Sequence, residues 1–338
     1  MPAAAKMKPM KINSFTLSFL RLLVTLCGIF KMTIQQKCNE LNRNIHDRLF
    51  LNNYLTITPD DYERAFTAID LIEDCQNSIE EFENIPESTI QSRSTLYIYG
   101  ILQSMYCQQD GLFHLYRTIT NKSLKSVYDF FQLYNFNKSI REVRDDIVGH
   151  PTDRKKGKEF YFIGKGPNSK FSFSYAGYTP HFRKVDVDLK LFIEQQNEFT
   201  ISVLQDVENS ISEQIQIHKD KFKSMKLIDI VNNLNYPTQL IFRGIFNNHP
   251  LAESGLVEIK EKLNNLKIEL NKRYNEKIPE SISDIFRLQD HILHRIDDWI
   301  SSKEIERNID AEVFMDSFEK QMNELMDILK EIDENFNK

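Results

Sequence analysis

Arg144 and His150, six positions apart, are the two side chains in this sequence whose types and spacing point most directly to chemistry. Cleaving RNA by internal attack needs a base for the 2′-hydroxyl or an acid for the leaving 5′-oxygen. Histidine serves either role near neutral pH, because its unperturbed pKa is about 6.5. The crowded phosphate then needs a positive clamp, and Arg offers a fixed fork of donors. Such a reaction requires no metal, so neither a metal site nor another cofactor is expected. Asp145 can orient Arg144 or His150, and Asp146 is the alternative for that task. Just downstream, Arg154, Lys155, Lys156 and Lys158 form a basic cluster, which Lys165 and Lys170 extend. With Phe160, Tyr161 and Phe162 interleaved, the cluster suits a phosphate backbone and unstacked bases, which makes it the candidate RNA-binding set. The plainer reading takes His150 as a partner for a helix C-terminus and Arg144 as paired with Glu142, Asp145 or Asp146. The lysines are then a solvated loop and the aromatic residues core.

The helix that carries Arg144 begins near Asn137 or Lys138 and runs through Ile140, Val143 and Ile147. It breaks at Gly149-His150-Pro151, where Gly is a natural cap and Pro forbids continuation. Six residues turn about 240° around a regular helix, which would not put both side chains on one face. The break is therefore what lets His150 swing toward Arg144. Ile140-Arg141-Glu142-Val143-Arg144-Asp145-Asp146-Ile147-Val148-Gly149-His150-Pro151 resembles the HEPN superfamily of helical-bundle proteins. Its ribonuclease members carry Arg, then four to six residues, then His, often with Asn, Asp or His directly after the Arg, near the end of a bundle helix. The likeness spans residues 58–225. It implies an all-α bundle, Arg144, Asp145 and His150 as catalytic residues, and an RNA substrate. It also implies a homodimer in which two protomers place their Arg–His pairs around one cleft, with roles in toxin action, antiphage defence or RNA processing.

The elements around the motif read as helices. Thr58-Pro59-Asp60-Asp61 opens one, and Tyr62, Phe66, Ile69, Ile72, Cys75, Ile79 and Phe82 follow at helical spacing until Pro86. A second runs from about Ser92 to Thr120 with Ile98, Ile101, Leu102, Met105, Leu112, Leu115 and Ile119 on its core face. Gln103, Gln108, Gln109 and Asp110 interrupt it, so these either face solvent or join a polar network. A short helix follows around Leu124–Leu133. Residues 159–175 switch to period two and predict a β-hairpin inserted in the bundle. A long helix is expected over Asp186–Met225. Leu256–Leu270, Ile282–Ile300 and Ala311–Phe336 are the clearest helices of the C-terminal region, the last with a bundle or coiled-coil seam.

The chain of 338 residues is long enough for two domains of about 150 residues each. Its Gly and Pro numbers, 10 each, favour long helices over a strand-and-turn fold. The expected fold class is mainly all-α. Residues 1–31 are a disordered, mis-assigned or targeting lead and 32–57 a helical lead-in. Residues 58–225 form the HEPN-like bundle and 226–338 a C-terminal helical region. Residues 1–31 hold five basic residues and no acid, so of the net charge of −6 the remainder carries −11, which argues against broad, non-specific nucleic-acid binding. Phe15–Phe30, interrupted by Arg21, has the character of a signal peptide or short anchor, so no membrane association is expected unless residues 1–31 are retained. Cys27, Cys38, Cys75 and Cys107 show no zinc or CxxC spacing, consistent with free thiols in a reducing, cytoplasmic setting. His291 and His294, with Asp290 and Asp297, lack a fourth converging group for zinc. Gly164–Lys170 lacks phosphate-loop spacing. The rival to a nuclease is a non-catalytic interaction or regulatory protein, its partner docked on the C-terminal helices.

Overall fold

The computed structural model describes residues 32–46, 57–91, 93–164, 169–178, 181–247 and 252–337. The expected lead at 1–31 falls outside them. Among the described residues no helix is long and apolar enough to cross a membrane. The fold is mainly helical, with one small antiparallel sheet.

Helix α1 (Ile34–Ile45) opens on a capping box in which Thr33 and Gln36 satisfy each other's backbone amides. Helix α2 (Pro59–Asn84) starts as its sequence dictates, with the Thr58 hydroxyl accepting the Asp61 amide and Pro59 in the first turn. After the short α3 (Glu87–Gln91), α4 (Ser94–Thr120) packs along α2, and α5 (Val127–Leu133) follows behind a Ser126–Asp129 capping box. Helix α6 (Ser139–Arg144) leads into a single π-helical turn over Asp145–Gly149. Three strands come next: β1 (Phe160–Ile163), β2 (Ser172–Tyr178) and β3 (Phe182–Asp188). Helix α7 (Leu189–Asp220) then returns along the bundle, capped by Asp188.

The hairpin expected over 159–175 is thus the first part of a three-stranded meander in the order β1-β2-β3. The third strand was missed because Arg183, Lys184, Asp186 and Asp188 read as polar surface rather than as a buried alternation, and only Val187 of β3 is fully buried. Asp186–Asp188 belong to that strand rather than to the long helix. The sheet lays Phe173, Tyr175 and Val187 against Ile79, Leu102, Met105, Ile140, Val143 and Ile147, forming a second core beneath the α6 end.

The C-terminal region comprises α8 (Leu227–Ile230), α9 (Asn235–Asn247), α10 (Ala252–Arg273), α11 (Glu280–Ser301) and α12 (Ile309–Asn337). Its seam of Phe318, Met322, Leu325, Leu329 and Phe336 is buried. One continuous hydrophobic cluster joins these helices to α1, α2, α4, α5 and α7. Their shared anchor is polar. Arg273, fully buried, bonds Asp333 at 3.0 Å, and both Asp333 oxygens accept the amides that open α8, at 2.9 and 3.0 Å. His218 of α7 hydrogen-bonds the Arg273 carbonyl at 2.6 Å. Buried ionic groups persist only when they are paired.

Cys38, Cys75 and Cys107 are free. Burial pushes the thiols of Cys38 and Cys75 up to about 12, which leaves them unreactive.

Two predictions test this anchor. Asp333→Ala strands a buried guanidinium and is expected to cost about 3–5 kcal/mol in urea denaturation; a loss below about 1 kcal/mol contradicts the pairing. Burial holds the His218 pKa below its ordinary value. The unfolded chain therefore takes up the proton first as pH falls. The folded state loses stability from an unfolded pKa of about 6.5 down to the folded one. His218→Gln should flatten that acid-side loss in denaturation midpoints measured between pH 7 and 5.

Candidate active site at the end of helix α6

Arg141 and Arg144 stand three residues apart on α6 and so share a face, which meets α4. Tyr106 of α4 receives both: the Arg141 and Arg144 guanidinium carbons lie 4.1 and 4.2 Å from its ring centroid. Arg141, 4 % exposed, also donates to Gln109 at 2.9 Å and to Asp110. Behind it the interruption in α4 resolves into a buried polar network. Gln109 donates to Gln196 at 2.8 Å, Gln196 to Gln108 at 2.8 Å and Gln108 to Gln76 at 3.0 Å, with Thr200 donating to Gln108 at 3.2 Å. Such a network, with each amide paired, fixes one arrangement of the helices.

Arg144 sits in front of this network. Its Nε donates to Gln103 at 3.0 Å and its Nη1 to Asp145 at 3.0 Å. Its Nη2 makes no hydrogen bond within the described residues. The second Asp145 oxygen lies 3.6 Å from Arg154, whose Nε donates to Asp146 at 2.8 Å. Asp146 in turn accepts from the Tyr175 hydroxyl at 3.0 Å. Arg and Asp therefore alternate from Arg144 through Asp145 and Arg154 to Asp146, ending on the sheet. Burial raises the Asp146 pKa against the opposing pull of Tyr175 and Arg154. Asp146 in turn helps hold Arg154 protonated against its own burial.

The π turn closes where the His150 amide donates to the Asp145 carbonyl at 3.0 Å. Turns of this kind are rare and concentrate at functional sites. Gly149 lies inside it without a left-handed backbone angle, so its role is not the capping conformation expected from the sequence. A Cβ there would come within 2.7 Å of Arg144 Nη1. Glycine is what lets the guanidinium lie against the turn. His150, next along, is exposed and its ring makes no hydrogen bond within the described residues. Past it, the Pro151 carbonyl accepts the Tyr161 amide at 2.7 Å, tying the exit of the turn to β1.

The expected residues thus divide. Arg144, Asp145 and His150 share one corner, with Asp145 bonded to Arg144 and to neither ring nitrogen of His150. Of the basic cluster, Arg154 is consumed by Asp145 and Asp146, and Lys155 pairs with Glu159 at 2.6 Å. Lys156 and Lys158 are exposed and have no acidic partner among the described residues. Lys170 is buried on the carbonyls of Glu83 and Ile85, so it does not extend the surface cluster. Lys165 lies outside the described residues. Arg141 and Tyr106 were missed as parts of the site, and Gln103 was named only as one of the polar interruptions of α4. The i,i+3 spacing of Arg141 to Arg144 and the polar interruption of α4 were the signals that could have found them.

Among the described residues, no group of three or more His, Cys, Asp or Glu side chains is placed to hold a metal ion. His294 instead faces Asp298 at 3.3 Å. A cleft of about 580 Å³ lies elsewhere, between the α8–α9 segment and α12, lined by Val231, Tyr236, Phe318, Met322 and Met326. Compared with known proteins, the chain matches no family model, no curated protein and no solved structure.

Gly149→Ala displaces the end of a flexible side chain rather than backbone, so it should cost only about 1 kcal/mol. That cost should vanish in an Arg144→Ala background, giving a measurable coupling in a double-mutant denaturation cycle. Additive effects would contradict the contact between Gly149 and Arg144.

Proposed function

We propose that this chain is a metal-independent endoribonuclease of HEPN type, dimeric and acting in the cytoplasm in defence, toxin or RNA-processing roles. The observation that carries the reading is the corner itself. Arg144 is braced by Gln103, Tyr106 and Asp145 with Nη2 uncommitted, and it rests against a side-chain-free glycine next to an exposed, unbonded histidine. A braced guanidinium with spare donors is suited to a phosphate, since it pays little ordering cost on binding.

In this reading the 2′-oxygen attacks the adjacent phosphorus and the bond to the 5′-oxygen breaks, leaving a 2′,3′-cyclic phosphate and a 5′-hydroxyl. His150 transfers the proton at one of these oxygens, solvent water exchanges the proton at the other, and Arg144 takes the charge that builds on the non-bridging oxygens. Asp145 is a positioning residue that holds Arg144. The corner is open to solvent in a single chain, and the second protomer implied by the resemblance would supply the facing wall. The rival interaction-module reading relies on the C-terminal seam as a working surface. Burial of Phe318, Met322, Leu325, Leu329 and Phe336 within the chain itself weighs against it.

Purified protein should cleave single-stranded RNA in EDTA. His150→Ala should lower the rate by about 10²–10⁴-fold, and Arg144→Ala by about 10²–10³-fold, each with an unchanged circular-dichroism spectrum. Wild-type cleavage rates in both variants would remove the proposal.

A further inference from the structure

The solvent side of the sheet is built from aromatic rings. Strand alternation sends Tyr161, Phe173, Tyr175 and Val187 inward and Phe160, Phe162, Tyr178 and Phe182 outward. Their exposures of 46, 47, 54 and 60 % are high for such large apolar groups. The register places Phe160 opposite Tyr178 and Tyr178 opposite Phe182, so three rings form one row across all three strands. Neighbouring strands lie about 4.8 Å apart, so the row spans about 10 Å, and Phe162 sits roughly 7 Å along from Phe160. The Tyr178 and Phe182 ring centroids are 5.8 Å apart. Gly177 supports the arrangement from beneath, because a Cβ there would overlap the inward Tyr161 ring.

Charge decides what such a face can receive. Residues 150–188 hold eight Lys and Arg against four Asp and Glu, a net +4, while the chain as a whole is −6. Lys156 and Lys158 lie in the loop just before Phe160; both are exposed and form no ion pair among the described residues. Lys155, Lys156 and Gly157 adopt left-handed backbone angles of 48°, 62° and 76°, which turn this loop tightly back onto β1. The sheet that carries this face is tied to the α6 corner through the Pro151–Tyr161 backbone hydrogen bond and, from its inner side, the Tyr175–Asp146 bond.

We propose that the outer face of this sheet is a stacking platform for unpaired bases, with Lys156 and Lys158 taking the phosphates. Sheet-borne aromatic side chains stack two or three bases in this way and require them to be unstacked from a partner strand. The inference rests on the ribonuclease reading for the identity of the polymer, and it narrows the substrate to single-stranded RNA. A duplex keeps its bases stacked and offers the rings nothing.

The test is fluorescence anisotropy with a labelled single-stranded RNA of about 12 nucleotides and its duplex, using His150→Ala protein so that binding is read without cleavage. Single-strand affinity should fall by roughly 10-fold in Phe182→Ala and by roughly 100-fold in Phe160→Ala/Phe182→Ala, with thermal unfolding unchanged. Phe182→Tyr should bind as the parent does, and the duplex should bind more weakly than the single strand. Unchanged affinity in the double variant overturns the platform. So does conversion of a dimer to a monomer with RNA affinity intact, which would make the face a protein interface. If the unsubstituted chain cleaves no RNA while the aromatic variants lose binding, the nuclease reading falls and the platform stands. If the aromatic variants bind and cleave like wild type, the platform falls and the nuclease reading stands.

Discussion

The contact between the Arg144 guanidinium and the backbone of Gly149 is the constraint around which the rest of the motif is arranged. It exists because the helix widens to a π turn instead of stopping, and because the residue at the point of closest approach has no side chain. A regular helix end would separate Arg144 from the segment that carries His150. The widened turn brings Gly149 against the guanidinium, one residue before the exposed His150.

Holding a cation there requires support from several elements. On the bundle side, Gln103 and the Tyr106 ring receive Arg144, and Arg141 braces the same ring from a buried amide network spanning α2, α4 and α7. On the sheet side, Asp145, Arg154 and Asp146 alternate in charge until Tyr175 closes the series. The bundle and the sheet therefore fix one side chain from opposite directions. Arg154 is structural in this scheme. That explains why the basic run splits into bonded members, Arg154 and Lys155, and outward ones, Lys156 and Lys158.

The helices were legible because their apolar spacing, the cap at Thr58 and the scarcity of Gly and Pro all agree with the fold. The break after Ile147 was legible from Gly149 and Pro151, but its form was not, since a π turn leaves no periodic signature within five residues. Strand β3 was hidden by its own charges. The polar interruption of α4 announced a network or a wet face without saying which; only the folded positions of Gln196 and Arg141 decide it. The aromatic row across the sheet depends on strand register, which sequence period alone does not set.

The most direct measurement of the central claim is NMR of the Arg144 side-chain Nε–Hε and the His150 ring during titration with an uncleavable 2′-deoxy oligonucleotide. One shared phosphate site predicts that both signals shift together and saturate at the same ligand concentration. Movement of one without the other, or of neither while the oligonucleotide binds elsewhere, would contradict it.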